Sequence, residues 1–343
     1  MVDTQLLNQT ARALVASGKG ILAADESTLT IGKRFAKINL PNDEENRRAY
    51  RELLFTTPTI GDYVSGIIMY DETIKQKTAD DKLFVQVLKD QGIMVGIKVD
   101  QGTIDMPGSL LEKVTKGREG LVIRLIEYVR MGAQFAKWRA VITIAQGMPT
   151  DANIRQNAKD LAAYAKVCQE ANLVPLVEPE VLMEGTHTME QCREATERTL
   201  VAVFEEMKAA GVAIEGMILK PNMILPGSKN TEKKTADEIA EATVTLFKKV
   251  LPPNLPGVAF LSGGQDPIEA TDNLNAITMN GPLPWTITFS FSRALQNPVM
   301  EKWQGKPENV IDAQMLFLWR AQMNSLAAVG TYDKVMETVS KEL

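Results

Sequence analysis

The chain has 343 residues, of which 45% are hydrophobic and 24% are charged, an ordinary composition for a soluble globular protein. Its formal net charge of −5 argues against nucleic acid as the main partner, although a local basic pocket for small phosphorylated molecules is compatible with that charge. The single histidine, His187, excludes a histidine-rich metal site, and two cysteines indicate a reducing compartment rather than a disulfide framework. We therefore expect a cytoplasmic protein, without a signal peptide or membrane span in this sequence.

Short apolar or β-branched runs alternate with longer amphipathic stretches along the chain. They predict eight strands, at 20–25, 65–71, 94–100, 135–144, 173–180, 216–222, 257–264 and 285–293. Helix-like stretches lie between them, among them 44–55, 118–131, 153–171, 189–210 and 235–250. Strands that alternate with helices are typical of parallel βαβ units, and eight such units predict an α/β fold, a closed (β/α)8 TIM barrel.

The competing architecture is a doubly wound sheet, which normally carries a glycine-rich fingerprint after its first strand. The corresponding segment here, "AADEST" (23–28), has no glycine. Nearly every predicted strand ends in an ionisable or hydroxyl side chain, namely Asp25, Asp71, Lys98, Lys137, Glu178, Lys220, Ser262 or Arg293. Because the carboxyl ends of barrel strands open onto one face, where active sites are built, this pattern favours the barrel.

We predict a single barrel domain over residues 1–343. Its core spans about 20–304, and a C-terminal helix and tail span about 305–343. An N-terminal helix and the C-terminal helices are expected outside the barrel.

The segment "GMILKPN" (216–222) places Lys220 at the end of an apolar strand, although lysine is rarely buried without a partner. A nucleophilic lysine must be neutral, whereas a free lysine with a pKa near 10.4 is almost fully protonated at pH 7. Burial or a nearby cation lowers such a pKa, and Lys137 in "FAKWR" (135–139) is a candidate for that cation. A lysine that only reaches out to solvent is the alternative interpretation.

Carboxylates at two strand ends are candidate proton carriers. In "VEPE" (177–180), Glu178 and Glu180 occupy alternate positions and therefore face the same side of a strand. Asp25 follows the first strand. For a route from carbinolamine to imine, Glu178 and Asp25 would carry the protons. The alternatives are a solvated acidic loop for the glutamates and a helix N-cap for Asp25.

The turn "LSGGQD" (261–266) is a candidate phosphate cradle, since glycines let backbone N–H groups converge on an anion. TIM barrels often bind phosphate after strands seven and eight, which end here in this turn and in Arg293. A plain turn is the alternative. Four basic residues are candidates to bind a second anion, although each is also explained as a surface charge. They are Arg34, Lys33, Lys98 and Arg139.

The motifs, taken in order, resemble those of class I fructose-bisphosphate aldolases over almost the whole chain. They are "GKGILAADEST" (18–28), "EENRRAYRELL" (44–54), "GIKVDQG" (96–102), "FAKWR", "VPLVEPE" (174–180), "LKPNM" (219–223), "FLSGGQ" (260–265) and "TFSFSRALQ" (288–296). The resemblance implies a lyase that needs neither metal nor cofactor and cleaves fructose 1,6-bisphosphate reversibly, through a lysine imine, to dihydroxyacetone phosphate and glyceraldehyde 3-phosphate. It further implies a cytoplasmic homotetramer of glycolysis and gluconeogenesis, with no nucleic-acid or membrane partner.

The resemblance also assigns roles by motif. Lys220 is the imine-forming lysine, and Glu178 handles protons as the imine forms and breaks. Asp25 assists cleavage at the C4 hydroxyl, Lys137 shapes the pocket, and Glu180 is a further catalytic candidate. The implied ligands of the ketone-side phosphate are Ser262, Gly263, Gly264, Arg293 and Arg34, with Ser290 as a further substrate contact. Those of the other phosphate are Ser27, Thr30, Lys33, Lys98 and Arg139.

Two features depart from the family pattern. The segment "METVSKEL" (336–343) lacks the terminal tyrosine of many animal members, which leaves open an imine-forming lyase that prefers a one-phosphate sugar. Ser292 stands where the family usually has glycine, and we expect its side chain to crowd the phosphate while its backbone N–H still serves. A barrel kept as a scaffold or binding protein is the alternative from another functional class.

Overall fold

The computed structural model describes residues 2–109 and 111–342. Outside this description lie the side chains of residues 339–342 and the final residue of the predicted tail, residue 343. The strands are β1 (Gly20–Ala24), β2 (Val64–Met69), β3 (Met94–Lys98), β4 (Thr103–Asp105), β5 (Lys113–Thr115), β6 (Phe135–Ile142), β7 (Val174–Val181), β8 (Ile218–Leu219), β9 (Gly257–Phe260) and β10 (Thr286–Phe291). All except β4 and β5 form a closed parallel barrel, which confirms the predicted fold class.

Around the barrel the strands follow chain order, and β10 pairs back onto β1 with Ser290 opposite Ile21. The β4–β5 pair is a separate antiparallel hairpin in which Thr103 lies opposite Thr115. The sequence analysis missed this hairpin because three-residue strands are too short to show a period in their apolar residues.

The helices agree closely with the predicted amphipathic stretches. They are α1 (Thr4–Leu14), α2 (Thr28–Phe35), α3 (Glu44–Phe55), α4 (Phe84–Asp90), α5 (Leu121–Arg130), α6 (Asp151–Glu170), α7 (Met189–Ala210), α8 (Ala236–Val250), α9 (Pro267–Met279), α10 (Arg293–Trp303) and α11 (Val310–Ala328). Local signals set such bounds: α7 begins with a capping box between Thr188 and Gln191 and ends at Gly211, whose φ is 67°. Within the described residues, no helix has the length and apolar character needed to cross a membrane.

Two apolar layers hold the barrel. Inside it, side chains from alternate strand positions pack on the buried face of α1, where Leu7, Ala11 and Leu14 follow a helical spacing. Outside it, the remaining helices pack on the opposite faces of the strands. Helix α11 packs against α3, α9 and α10 on the outside of the barrel. The boundary near residue 304, between the barrel core and the C-terminal helix and tail, stays a prediction.

The alternation of side chains along the strands also positions the chemistry. On β6, Phe135 is followed two residues later by Lys137, and on β7 Leu176 is followed by Glu178. Ile218 of β8 is likewise followed by Lys220. Because alternate residues share a face, the interior changes from apolar at the α1 end to charged at the carboxyl ends of the strands.

Candidate active site

Four buried ionisable side chains meet inside the barrel, on β6 and β7 and directly after β1 and β8. Asp25 and Lys220 follow β1 and β8, as expected. The expectation that Lys137 and Glu178 end their strands is wrong, because β6 and β7 continue beyond them to Ile142 and Val181. Lys137 Nζ lies 2.7 Å from Asp25 Oδ2 and 3.1 Å from Glu178 Oε2. Lys220 Nζ lies 3.1 Å from the other oxygen of that carboxylate, Glu178 Oε1. The four side chains are hereafter called the central cluster, and Glu178 joins its two lysines.

Backbone pairing fixes this arrangement. β6 and β7 pair in parallel with Lys137 opposite Leu176 and Arg139 opposite Glu178, so Glu178 lies two register positions beyond Lys137 and on the same face. Lys220 donates its backbone N–H to Val177 O at 2.7 Å and is followed by a proline, which favours extended backbone in the preceding residue. Only 3% of Lys220 and 4% of Glu178 is exposed, so both side chains are largely shielded from water.

Mutual attraction keeps Asp25, Glu178 and Lys137 charged despite their burial. Burial alone would raise the pKa of Asp25, but the Lys137 and Lys220 ammonium groups hold that pKa well below its usual range. Burial would likewise raise the pKa of Glu178, but the positive charges of Lys137, Lys220 and Arg139 lower it. Burial would lower the pKa of Lys137, yet the Asp25 and Glu178 carboxylates raise it well above the usual lysine value. Lys137 is therefore a permanent cation of the site.

The alternative interpretation of Asp25 as a helix N-cap is wrong. Ser27 occupies the N-cap of α2, and its hydroxyl accepts a hydrogen bond from Thr30 N at 3.3 Å. Asp25 instead directs its carboxylate at Lys137. The carboxylate is thus part of the interior of the barrel mouth rather than of the helix terminus.

Glu180 lies outside the central cluster, because its carboxylate accepts a hydrogen bond from Arg139 Nε. Lys98 makes a similar ion pair with Asp100. A cavity of 670 Å³ at this side of the mouth is lined by four of the predicted phosphate ligands, Ser27, Thr30, Lys98 and Arg139. Lys33 is exposed and is not among the residues that line it.

The turn after β9 and the start of α10 form the second basic region. Gly263 and Gly264 have φ values of 61° and 93°, conformations that favour glycine. A Cβ atom on Gly264 would lie 2.9 Å from Arg293 Nη1, so the missing side chain lets the guanidinium approach the turn. Ser262 and Ser290 are buried beside these elements, and the Ser290 hydroxyl makes no hydrogen bond with the part of the chain that is described.

Sequence reasoning missed Glu26, a buried carboxylate next to Asp25. It accepts hydrogen bonds from Arg34 Nη1 at 2.5 Å and from Arg51 Nη2 at 2.6 Å. It also accepts one from Ser292 Oγ at 2.7 Å. The expectation that the Ser292 side chain crowds the phosphate stays a prediction. Arg51 lies within the "EENRRAYRELL" motif, but no local pattern shows that its partner comes from the first strand end.

We expect Glu26 to make stability depend on pH. Burial opposes its charge, but the Arg34 and Arg51 guanidinium groups lower the pKa of Glu26 from 4.5 to about 2. Because the pKa is lower in the folded state, this carboxylate stabilises the fold fully above about pH 4.5 and loses that contribution as the pH falls towards 2. Between about pH 6 and about pH 3, the unfolding free energy of the wild type should fall by about 2 kcal/mol more than that of Glu26→Gln.

Urea unfolding at both pH values measures this difference. The exposed Glu308 supplies the control, because Glu308→Gln should follow the wild-type pH dependence. A Glu26→Gln variant with the full wild-type acid sensitivity would contradict the assignment.

The side chains that commonly bind metals or act as thiol nucleophiles are placed as follows. Within residues 2–109 and 111–342, no three His, Cys, Asp or Glu side chains are arranged to hold a metal ion. Cys168 and Cys192 are buried in the apolar core, in keeping with a packing role, and burial raises the pKa of both thiols. His187 is only 5% exposed, which excludes a surface position, and its carbonyl orders a loop by accepting a hydrogen bond from Gly227 N at 2.8 Å.

Comparisons with known proteins show similarity to fructose-bisphosphate aldolases over nearly the whole chain. A family model described as "Fructose-bisphosphate aldolase class-I" matches residues 6–342. The fructose-bisphosphate aldolase of Dictyostelium discoideum is 51% identical over 326 residues, which cover 94% of this chain and 91% of that protein. Fructose-bisphosphate aldolase 4, cytosolic, of Arabidopsis thaliana is 50% identical over 333 residues, which cover 97% of this chain and 85% of that protein.

A solved structure extends the similarity to three dimensions. Fructose-bisphosphate aldolase from Plasmodium falciparum, in complex with TRAP and a small-molecule inhibitor, matches with a TM-score of 0.95 at 48% sequence identity. The match covers 96% of this chain and 96% of that one.

Proposed function

This chain belongs to the class-I fructose-bisphosphate aldolase family, and on that premise we propose how its residues carry out the reaction. The activity is reversible cleavage of fructose 1,6-bisphosphate to dihydroxyacetone phosphate and glyceraldehyde 3-phosphate through a lysine imine. The observation that carries the assignment of roles is the central cluster, in which Glu178 lies within 3.1 Å of the nitrogen atoms of both Lys137 and Lys220.

Lys220 forms the covalent bond to substrate. Its neutral amine attacks the ketone carbon, and Glu178 beside it carries the proton that must leave nitrogen and the proton that lets hydroxide depart as water. The resulting iminium accepts the electron pair of the breaking C3–C4 bond. The apolar interior below Lys220 keeps water from the imine while this carbanion exists.

Asp25 takes the proton of the C4 hydroxyl as the C3–C4 bond breaks. The task requires an ionised carboxylate, and Lys137 at 2.7 Å favours that ionised form. Because Lys137 also contacts Glu178, one cation supports both proton carriers. This arrangement explains why Lys137 itself does not act as the nucleophile, since its two carboxylate neighbours raise its pKa and keep its amine protonated.

The two basic regions are suited to the two phosphates of the substrate. The ketone-side phosphate is held by the Ser262–Gly264 turn together with Arg34 and Arg293. The other phosphate enters the 670 Å³ cavity, where Arg139 and Lys98 must exchange Glu180 and Asp100 for the anion. Lys33 lies on α2, is exposed and does not line this cavity, so we do not assign it to the phosphate.

The test is cleavage of fructose 1,6-bisphosphate by the purified protein in the presence of EDTA. Borohydride reduction with dihydroxyacetone phosphate, followed by peptide mass spectrometry, should place the reduced adduct on the peptide that carries Lys220. Absence of both cleavage and adduct would overturn the function.

A lyase for one-phosphate sugars is the second candidate. It is favoured by one observation, that Arg139 and Lys98 already hold carboxylates where the second phosphate would bind. The ratio of turnover on fructose 1,6-bisphosphate to that on fructose 1-phosphate decides between the two, and a large ratio removes this candidate.

We also propose a homotetramer located in the cytoplasm, active in glycolysis and in gluconeogenesis. The cytoplasmic location is supported by the similarity to fructose-bisphosphate aldolase 4, cytosolic, of Arabidopsis thaliana. Assembly is supported by α5, whose outer face exposes an apolar stripe at helical spacing, with Val122 exposed by 56%, Ile126 by 45% and Val129 by 41%.

A charge in this stripe should weaken assembly. Ile126→Glu would bury an unpaired carboxylate in the interface, so light scattering should report a smaller particle mass than for the wild type. Ile311→Glu introduces the same change at an exposed apolar residue on α11, 71% exposed against 45% for Ile126, and is the control. If Ile126→Glu keeps the wild-type mass, α5 is not in the interface.

A further inference from the structure

Ser292 lies directly before α10, yet its hydroxyl is directed towards the first strand end. It donates a hydrogen bond to Glu26 Oε1 at 2.7 Å and accepts one from Arg34 Nη2 at 3.0 Å. Arg34 Nη1 bonds to the same carboxylate oxygen at 2.5 Å. The three side chains therefore form a closed ring, hereafter called the Ser292 ring.

A fourth side chain closes the inner side of the ring. Gln296 is fully buried, and its Nε2 donates to Ser292 Oγ at 3.1 Å and to Glu26 Oε1 at 2.9 Å. The same nitrogen reaches Ala23 O at 2.7 Å, which ties the ring to the end of β1. The Ser292 hydroxyl thus uses both its donor and its acceptor capacity in fixed geometry.

The direction of this hydroxyl affects the helix that follows. Serine is among the most favoured N-cap residues because its oxygen accepts from a first-turn N–H, but Ser292 makes no such bond. Leu295 N bonds Ser292 O at 3.2 Å, but the two preceding amides of α10, those of Arg293 and Ala294, are left uncapped by the hydroxyl and keep their hydrogen-bonding capacity for an anion. A glycine at this position would leave those amides equally open but would contribute nothing to the ring.

The charges around the ring match a phosphate. Glu26 contributes one negative charge, and Arg34, Arg51 and Arg293 each contribute a positive one. The net charge is about +2, against about −1.5 to −2 for a phosphate monoester at pH 7. Both terminal nitrogens of Arg34 are used in the ring, and within the described residues its Nε makes no hydrogen bond. The guanidinium is thereby fixed in orientation and still has donors for a ligand.

We propose that Ser292 is a positioning residue for the ketone-side phosphate, whose hydroxyl fixes the Arg34 guanidinium beside the start of α10 through the Ser292 ring. The proposal rests on the proposed function for the identity of the phosphate. Loss of the hydroxyl leaves Arg34 attached to Glu26 at one nitrogen, around which the guanidinium turns. The phosphate is bound equally in the ground state and in the transition state, so the loss appears in KM and leaves kcat nearly unchanged.

The first experiment compares the wild type with Ser292→Ala. We expect KM for fructose 1,6-bisphosphate to rise roughly 5- to 20-fold, since a hydrogen bond to a charged group is lost, while kcat changes by less than about 2-fold. KM for fructose 1-phosphate, which keeps the ketone-side phosphate, should rise by the same factor. Ser292→Thr restores a hydroxyl and should recover most of the loss.

Controls separate positioning from stability. Ser325 is the control, because its hydroxyl donates to the Gly18 carbonyl before β1, whereas the ring lies after β1, so Ser325→Ala should keep the wild-type KM. A KM that Ser292→Ala leaves unchanged overturns the proposal. A rise for the bisphosphate alone also overturns it, because that result would assign Ser292 to the other phosphate.

Binding of inorganic phosphate, followed by calorimetry, tests the ring independently of turnover. Phosphate affinity should fall in Ser292→Ala by about the same factor as KM rises. If the wild type forms no imine, the proposed function fails, yet this measurement still decides the role of Ser292. Equal phosphate affinity in the wild type and in Ser292→Ala would overturn the inference while leaving the aldolase assignment intact.

Discussion

Lys220→Met is expected to lower kcat for fructose 1,6-bisphosphate cleavage by about 10⁴-fold or more, which corresponds to at least about 5.5 kcal/mol of barrier. The reason is that methionine cannot form the iminium that accepts the electron pair of the breaking bond. Methionine fills a similar volume, and Glu178 keeps its contact with Lys137 at 3.1 Å, so the fold should be retained. Steady-state kinetics and borohydride trapping measure the effect, and the trapped adduct should disappear.

Lys220→Arg is the matched control for charge. Arginine keeps the positive charge beside Glu178 but stays protonated, so it should be as inactive as methionine while retaining more of the wild-type melting temperature. Comparable activity in Lys220→Arg and the wild type, or an adduct that moves to another lysine peptide without loss of rate, would show that the nucleophile lies elsewhere.

Glu178→Gln is expected to have the second-largest effect, a fall in kcat of about 10²- to 10⁴-fold. An amide cannot accept the protons that imine formation and breakdown require. KM should change little, because Glu178 is not among the proposed phosphate ligands. The rate of adduct formation with dihydroxyacetone phosphate under borohydride should fall with kcat, which identifies imine formation as the impaired step.

The same substitution should also destabilise the protein. Glu178 is the ion-pair partner of Lys220 and also contacts Lys137, and its loss leaves the two buried lysines with the single carboxylate of Asp25, at roughly 3–5 kcal/mol of unfolding free energy. Glu112 is a suitable control, since it is equally buried but bonds Thr150, so Glu112→Gln should affect stability without slowing imine formation. Normal adduct formation in Glu178→Gln would remove it from the proton path.

The strand and helix pattern is the part of this protein that local sequence determined. All eight barrel strands were predicted because each carries enough consecutive apolar or β-branched residues to show its character, and the long helices were predicted from their apolar spacing. Helix bounds such as those of α7 follow from capping residues within a few positions. The face on which the charged side chains lie also follows from sequence, since alternation along a strand is a local property, although Lys137 and Glu178 lie within their strands and not at the ends.

The partners of those charged groups were decided only by the tertiary structure. No spacing reveals that Lys137 lies between Asp25 and Glu178, or that Glu180 pairs with Arg139 instead of joining the central cluster. The hydrogen bond from Ser292 to Glu26 spans 266 positions, and only closure of β10 onto β1 brings those residues together. Periodicity reports which face a side chain occupies, whereas the identity of its neighbour depends on which strands the closed barrel places side by side.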